Sequence, residues 1–143
     1  MKLAILLVMA AGLVTGQAAA QAPARSVWDA VFTSEQAKRG QPLYNKECGA
    51  CHGSSLSGGE SAPPLAGSEF LSTWNGLTVG DLFERVRKTM PAGKPGKLSR
   101  EVNADIVAFL LAFNEFPAGE TELPKLTEVL TDIRIEATKP EKK

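Results

Sequence analysis

Cys48-Gly49-Ala50-Cys51-His52 sets two thiols two residues apart, with an imidazole directly after the second. That spacing is the C-x-x-C-H signature of covalent haem attachment. Each sulfur would form a thioether along one porphyrin edge, and His52 would lie under the iron and ligate it through Nε2. Other chemistries share the Cys pair: a redox dithiol, half of a zinc site, or a structural disulfide. Zinc needs about four ligands. The chain has two Cys and one His, so carboxylates would have to supply the rest. A thioredoxin-like dithiol should sit in a βαβ pattern, and none is readable here.

A second axial ligand must come from a distant residue. His52 is the single histidine, and Met1 and Met9 would leave with the N-terminal signal expected over residues 1–22, which leaves Met90 as the one further soft donor. It stands 38 residues after His52, in Thr89-Met90-Pro91-Ala92-Gly93. Met/His ligation raises the potential of a haem, because sulfur stabilises ferrous iron. With both axial positions filled, iron has no vacancy for oxygen, peroxide or substrate, and only an electron can pass. The competing class is a haem enzyme or gas-binding haem protein with a labile distal ligand. Such chemistry recruits a distal acid or base, and no second histidine exists to serve. Lys88 could stand in for Met90 only after losing its proton.

These residues need helices to hold them. Thr33-Ser34-Glu35-Gln36 carries a start signal in which Thr33 caps and Gln36 reaches back as a capping box. The helix should run to the attachment motif, with Pro42 predicting a kink or a regular part that begins nearer Leu43. Gly53 to Glu60 is a Gly/Ser-rich loop, followed by the stiff Ala62-Pro63-Pro64-Leu65-Ala66-Gly67. A short helix is expected over Glu69 to Asn75, bearing Phe70, Leu71 and Trp74. Another starts at Thr78-Val79-Gly80-Asp81, buries Leu82, Phe83 and Val86, and ends near Thr89, because Pro91 disfavours helical geometry at Met90. Ser99 caps a last long helix to Asn114, in which Val102, Ile106, Phe109, Leu110 and Phe113 recur at helical spacing.

Gly40 and Tyr44 lie eight and four residues before Cys48 on one helical face, so that another helix can cross closely there. At this point the chain resembles the class I cytochromes c, small exported monohaem proteins in which a Gly and an aromatic at these offsets cross the C-terminal helix. The resemblance covers Ser34 to Asn114 and implies an all-α fold wrapped around one covalent haem c and its iron. It implies further that a proline carbonyl in a Pro-x-Leu-x-Gly run orients the axial histidine. Pro63 is the match in register, with Leu65 against the haem face and Pro64 in reserve. Trp74 has an indole N–H that seeks a partner when buried. By resemblance the partner is a haem propionate; plain core packing is the alternative. The segment around Met90 is similar to the distal methionine loop of the family.

Lys2 followed by the apolar run Leu3 to Val14 and small residues up to Ala22 reads as a cleaved secretory signal over residues 1–22, with an uncleaved N-terminal anchor as the alternative. The run is shorter than the ~20 residues that span a bilayer, so no membrane span is expected in the mature form. Removing Lys2 leaves 15 basic and 16 acidic residues, a balance that gives no reason to expect nucleic acid or a membrane surface as partner. The expected organisation is a leader over 23–33, a cytochrome c domain over 34–116 and a C-terminal extension over 117–143, working in the periplasm. The expected partners are redox proteins, a dehydrogenase or an oxidase. The Asn114-Glu115-Phe116-Pro117-Ala118-Gly119 ending looks like that of small cytochromes paired with quinoprotein dehydrogenases. Arg85, Arg87, Lys88, Lys94, Lys97 and Arg100 form a run without an acid among them, read either as a solvated flank or as a positive rim that steers an acidic partner.

Overall fold

The computed structural model describes residues 25–141. The signal expected over residues 1–22 lies outside the described residues. Six helices and two short strands follow in order: β1 (Arg25–Ser26), α1 (Ser34–Glu47), α2 (Gly49–His52), α3 (Gly67–Trp74), α4 (Val79–Thr89), α5 (Arg100–Phe113), α6 (Thr127–Leu130) and β2 (Ile133–Arg134), with a 3-10 turn at Val27–Asp29. None of the described helices is long and apolar enough to cross a membrane.

The helix starts follow local chemistry. Thr33 Oγ1 accepts the Gln36 N–H, Ser99 Oγ accepts that of Val102, and Thr78 and Asp81 cap each other reciprocally. One expected cap is only half made. The Gln36 side chain does not reach back to Thr33; its Nε2 donates to the Leu123 carbonyl at 3.1 Å and its Oε1 accepts the Leu123 N–H at 2.6 Å. The buried Gln36 amide pairs both backbone groups of Leu123 and so leaves neither unsatisfied, which outweighs one cap bond because each unpaired buried group is costly.

Helix α1 runs unbroken through Pro42 and does not begin near Leu43. Lys38, whose carbonyl loses its partner to the ring, and Pro42 are both exposed, so water can satisfy that oxygen. Gly40 is buried where α1 meets α5: a Cβ there would overlap the Asp105 carbonyl and Cβ of Phe109. Next to this crossing the Tyr44 and Phe109 rings pack with centroids 5.3 Å apart.

Helix α5 is the axle of the molecule. Ala104, Val107, Ala108 and Leu111 face a cluster shared with Phe32, Phe70 and Phe83, while Ile106, Phe109 and Leu110 face a second cluster with Tyr44 and Leu56. Two opposed clusters bury more of the helix than one stripe would. The single stripe expected from spacing is therefore corrected at its ends: Val102 is only partly buried, and Phe113, on the last turn, is 43 % exposed, edge-on to Phe109.

The segments flanking the helical domain are part of the same core. Val27, Val31 and Phe32 before α1 are buried together with Leu123, Leu130, Ile133 and Ile135 after α5, each worth roughly 1.5–3 kcal/mol when fully buried. Strands β1 and β2 pair in parallel, Arg25 with Ile133 and Ser26 with Arg134. Trp28 packs edge-on against Phe116 and donates its indole N–H to the Glu136 carbonyl at 2.9 Å. Leu126 stays exposed.

Candidate functional site

The attachment motif occupies one helical turn. Cys48 ends α1, its N–H bonding the Tyr44 carbonyl, and also begins α2, whose last residue is His52. Cys48 packs against the second cluster, Cys51 is exposed, and the His52 side chain is buried. Burial pushes the Cys48 thiol up to about 11, with Glu47 and Cys51 adding to it. A reactive redox dithiol needs a thiol whose value is lowered, so Cys48 is poorly suited to that chemistry. Among the described residues no group of three or more His, Cys, Asp or Glu could hold a metal ion, which leaves a zinc site without its carboxylates.

Beyond His52 the chain folds back on itself. Gly53 turns with φ of 76°, and the Gly58 N–H returns to the His52 carbonyl at 2.9 Å. Gly58 has φ of 77°, and a Cβ there would press on the Ala62 carbonyl oxygen and the Pro63–Pro64 peptide. Only glycine permits that conformation and that approach together. Leu56, buried and also left-handed at φ of 57°, is held by the Leu65 N–H on its carbonyl at 2.8 Å. The folded loop brings the Pro63 carbonyl oxygen to 2.8 Å from His52 Nδ1. Nδ1 is thereby the donor to that carbonyl, and Nε2 keeps its lone pair.

A cavity of about 460 Å³ opens against these residues. Cys48, Cys51 and His52 line it, as do Pro63, Pro64, Leu65, Trp74 and Met90. These eight residues thus border one space, whereas Lys88, the alternative distal ligand, does not line it. Met90 caps the C-terminus of α4 with extended backbone, its N–H still bonded to the Val86 carbonyl. Trp74, half-buried at the end of α3, packs beside Phe70 at 6.3 Å between ring centroids. Leu82, Val86, Ile106 and Leu110 add apolar walls from α4 and α5. Two thiols, an imidazole with a free nitrogen and a thioether, set among apolar walls, form a donor set that fits an iron porphyrin.

Two positioning residues, Asn114 and Gly58, and one further role of Tyr44 were not assigned from the sequence. Tyr44 Oη donates to the Gly53 carbonyl at 2.8 Å and ties the turn after His52 to the helix crossing. Asn114 donates to the Leu65 and Leu110 carbonyls and accepts the Gly67 N–H at 3.0 Å, which caps α3 where Ala66 has no side chain to do so. Tyr44 carried a signal in its offset from Cys48, and Gly58 lies in the Gly/Ser-rich stretch read as a loop, but nothing in the sequence set its close approach to Pro63 or the contacts of Asn114.

Residues 35–110, just over half of the chain, match the family model described as cytochrome c oxidase, cbb3-type, subunit III. No curated protein matches the chain. A solved structure, the sulfane dehydrogenase SoxCD from Paracoccus pantotrophus, aligns with a TM-score of 0.49 and 24 % identity over 76 % of this chain. The chain spans 61 % of the length of that one. With the motif, the cavity and the family match in agreement, the chain belongs to the cbb3-type subunit III family of class I c-type cytochromes, electron-transfer proteins that are all-α around covalently bound haem c and its iron.

Proposed function

We propose that this chain is a periplasmic single-electron carrier with haem bound through Cys48 and Cys51 and iron held between His52 and Met90. The observation that carries this reading is that the one histidine and the one methionine beyond residue 9 border the same cavity, with His52 Nδ1 already engaged by Pro63. When bound, the haem supplies one reversible electron at its iron. The protein supplies the rest. Pro63 fixes the imidazole plane and raises its basicity. Leu65, Leu82, Ile106 and Leu110 keep water from the metal, which disfavours the extra ferric charge. Trp74 borders the cavity with its indole available to a propionate. With His52 and Met90 both holding it, the iron would keep the same two donors in either oxidation state and would have no open position for a substrate. The chain is on this reading not an enzyme. Its partners are redox proteins, an oxidase or a dehydrogenase; the family takes its name from an oxidase subunit.

The test is a visible spectrum of the exported protein. Haem absorption should survive denaturation, and the ferric far-red band that reports sulfur on iron should be present. Cys51→Ala should impair attachment, and Met90→Ala should keep the haem while abolishing that band and admitting cyanide. A colourless protein, or one that binds cyanide and carbon monoxide untreated, would overturn the reading.

A further inference from the structure

We propose that Glu47 and Lys97 form a latch that holds the segment after Met90 against the attachment helix, and so sets how firmly Met90 stays on the iron. The proposal rests on the reading of Met90 as axial ligand. Lys97 Nζ lies 2.6 Å from Glu47 Oε2, with the Glu47 side chain 10 % exposed and that of Lys97 43 % exposed. Glu47 is the last residue of α1, adjoins Cys48 and borders the cavity. The chain from Pro91 to Lys97 otherwise bonds only to itself, through Lys94 N–H to the Pro91 carbonyl and Lys97 N–H to the Lys94 carbonyl. Ala92 to Lys97 are exposed, and burial resumes only partly at Leu98. Among the described residues, the Lys97 ammonium therefore makes the one side-chain hydrogen bond joining this segment to another element.

The pair differs from an ordinary surface ion pair in two respects. Its carboxylate is nearly buried, and that carboxylate stands at the wall of the cavity, so each charge also acts on the site it flanks. Glu47 favours the ferric state and Lys97 opposes it. Removing either partner should loosen the distal segment, whereas the effects on potential should be of opposite sign. A general softening of the fold would move both potentials the same way.

The experiment uses the haem-loaded protein and its Glu47→Gln, Lys97→Gln, double and Lys97→Arg variants, with imidazole as the probe that displaces the distal ligand from ferric iron. Imidazole affinity should rise roughly two- to fivefold in each single variant, no further in the double variant, and return toward wild type in Lys97→Arg. The midpoint potential should rise for Glu47→Gln and fall for Lys97→Gln. Unchanged imidazole affinity in both single variants, with the wild-type far-red band present, overturns the latch while leaving Met90 as ligand. Absence of that band from the wild type removes Met90 and the latch with it.

Discussion

Tyr44 Oη and the carbonyl oxygen of Gly53 are 2.8 Å apart, and this bond joins the crossing of α1 and α5 to the turn that follows His52. Tyr44 is fully buried, and burial above all pushes its hydroxyl up to about 12, so it remains a neutral donor. Tyr44→Phe keeps the packing against Phe109 but leaves the Gly53 carbonyl short of a partner. The expected loss is about 1–3 kcal/mol in denaturant unfolding, with the haem still attached.

Gly58→Ala should be costlier to the site than its exposure suggests. The left-handed backbone alone costs an alanine roughly 1–2 kcal/mol, before the new Cβ displaces Pro63. A lower unfolding midpoint together with a raised reduction potential is expected, because an imidazole that has lost the Pro63 carbonyl is a weaker donor to ferric iron. A fall in stability with no change in potential would mean that the Pro63 carbonyl keeps its place.

Gln36→Leu removes an amide that holds both backbone groups of Leu123. The two orphaned groups should cost about 2–4 kcal/mol and free the tail locally. Limited proteolysis should then cut near Leu123 while the haem spectrum stays as in the wild type.

Glu84 gathers Arg87, Lys88 and the Thr127 hydroxyl, which together hold its carboxyl well below the usual carboxylate range, Arg87 most strongly. A carboxyl held low in the folded state stabilises above its unfolded value of about 4.3 and loses that contribution as pH falls further. Acid titration of stability should therefore be flatter below about pH 4 in Glu84→Gln than in the wild type, because glutamine has no carboxyl to take up the proton.

Much of this was readable from neighbours in the chain. Thr33, Thr78 and Ser99 announce helix starts because a cap needs only residues three places away. Gly40 was readable from its offset before Cys48, and Pro63 from its place in a Pro-x-Leu-x-Gly run. What escaped depends on residues far apart in sequence. The Gln36 amide could not be assigned to Leu123, 87 residues on, by any local rule. Lys97 likewise finds its acid 50 residues back at Glu47, while the partner of Arg87 and Lys88, Glu84, stands only three and four places away on the same helix. Arg87 and Lys88 pair with Glu84 and Lys97 with Glu47, so the rim is partly neutralised, and a docking rate that depended on it should respond only shallowly to salt.

The pairing of Ser26 with Arg134 spans 108 residues, whereas every residue that borders the cavity lies between Tyr44 and Leu110. Long loops close late and at an entropic cost, so the ends of the described chain should meet after the middle has already taken shape. Cofactor loading and final closure are thereby separable in time: the pouch can be stocked first, and the drawstring tied afterwards.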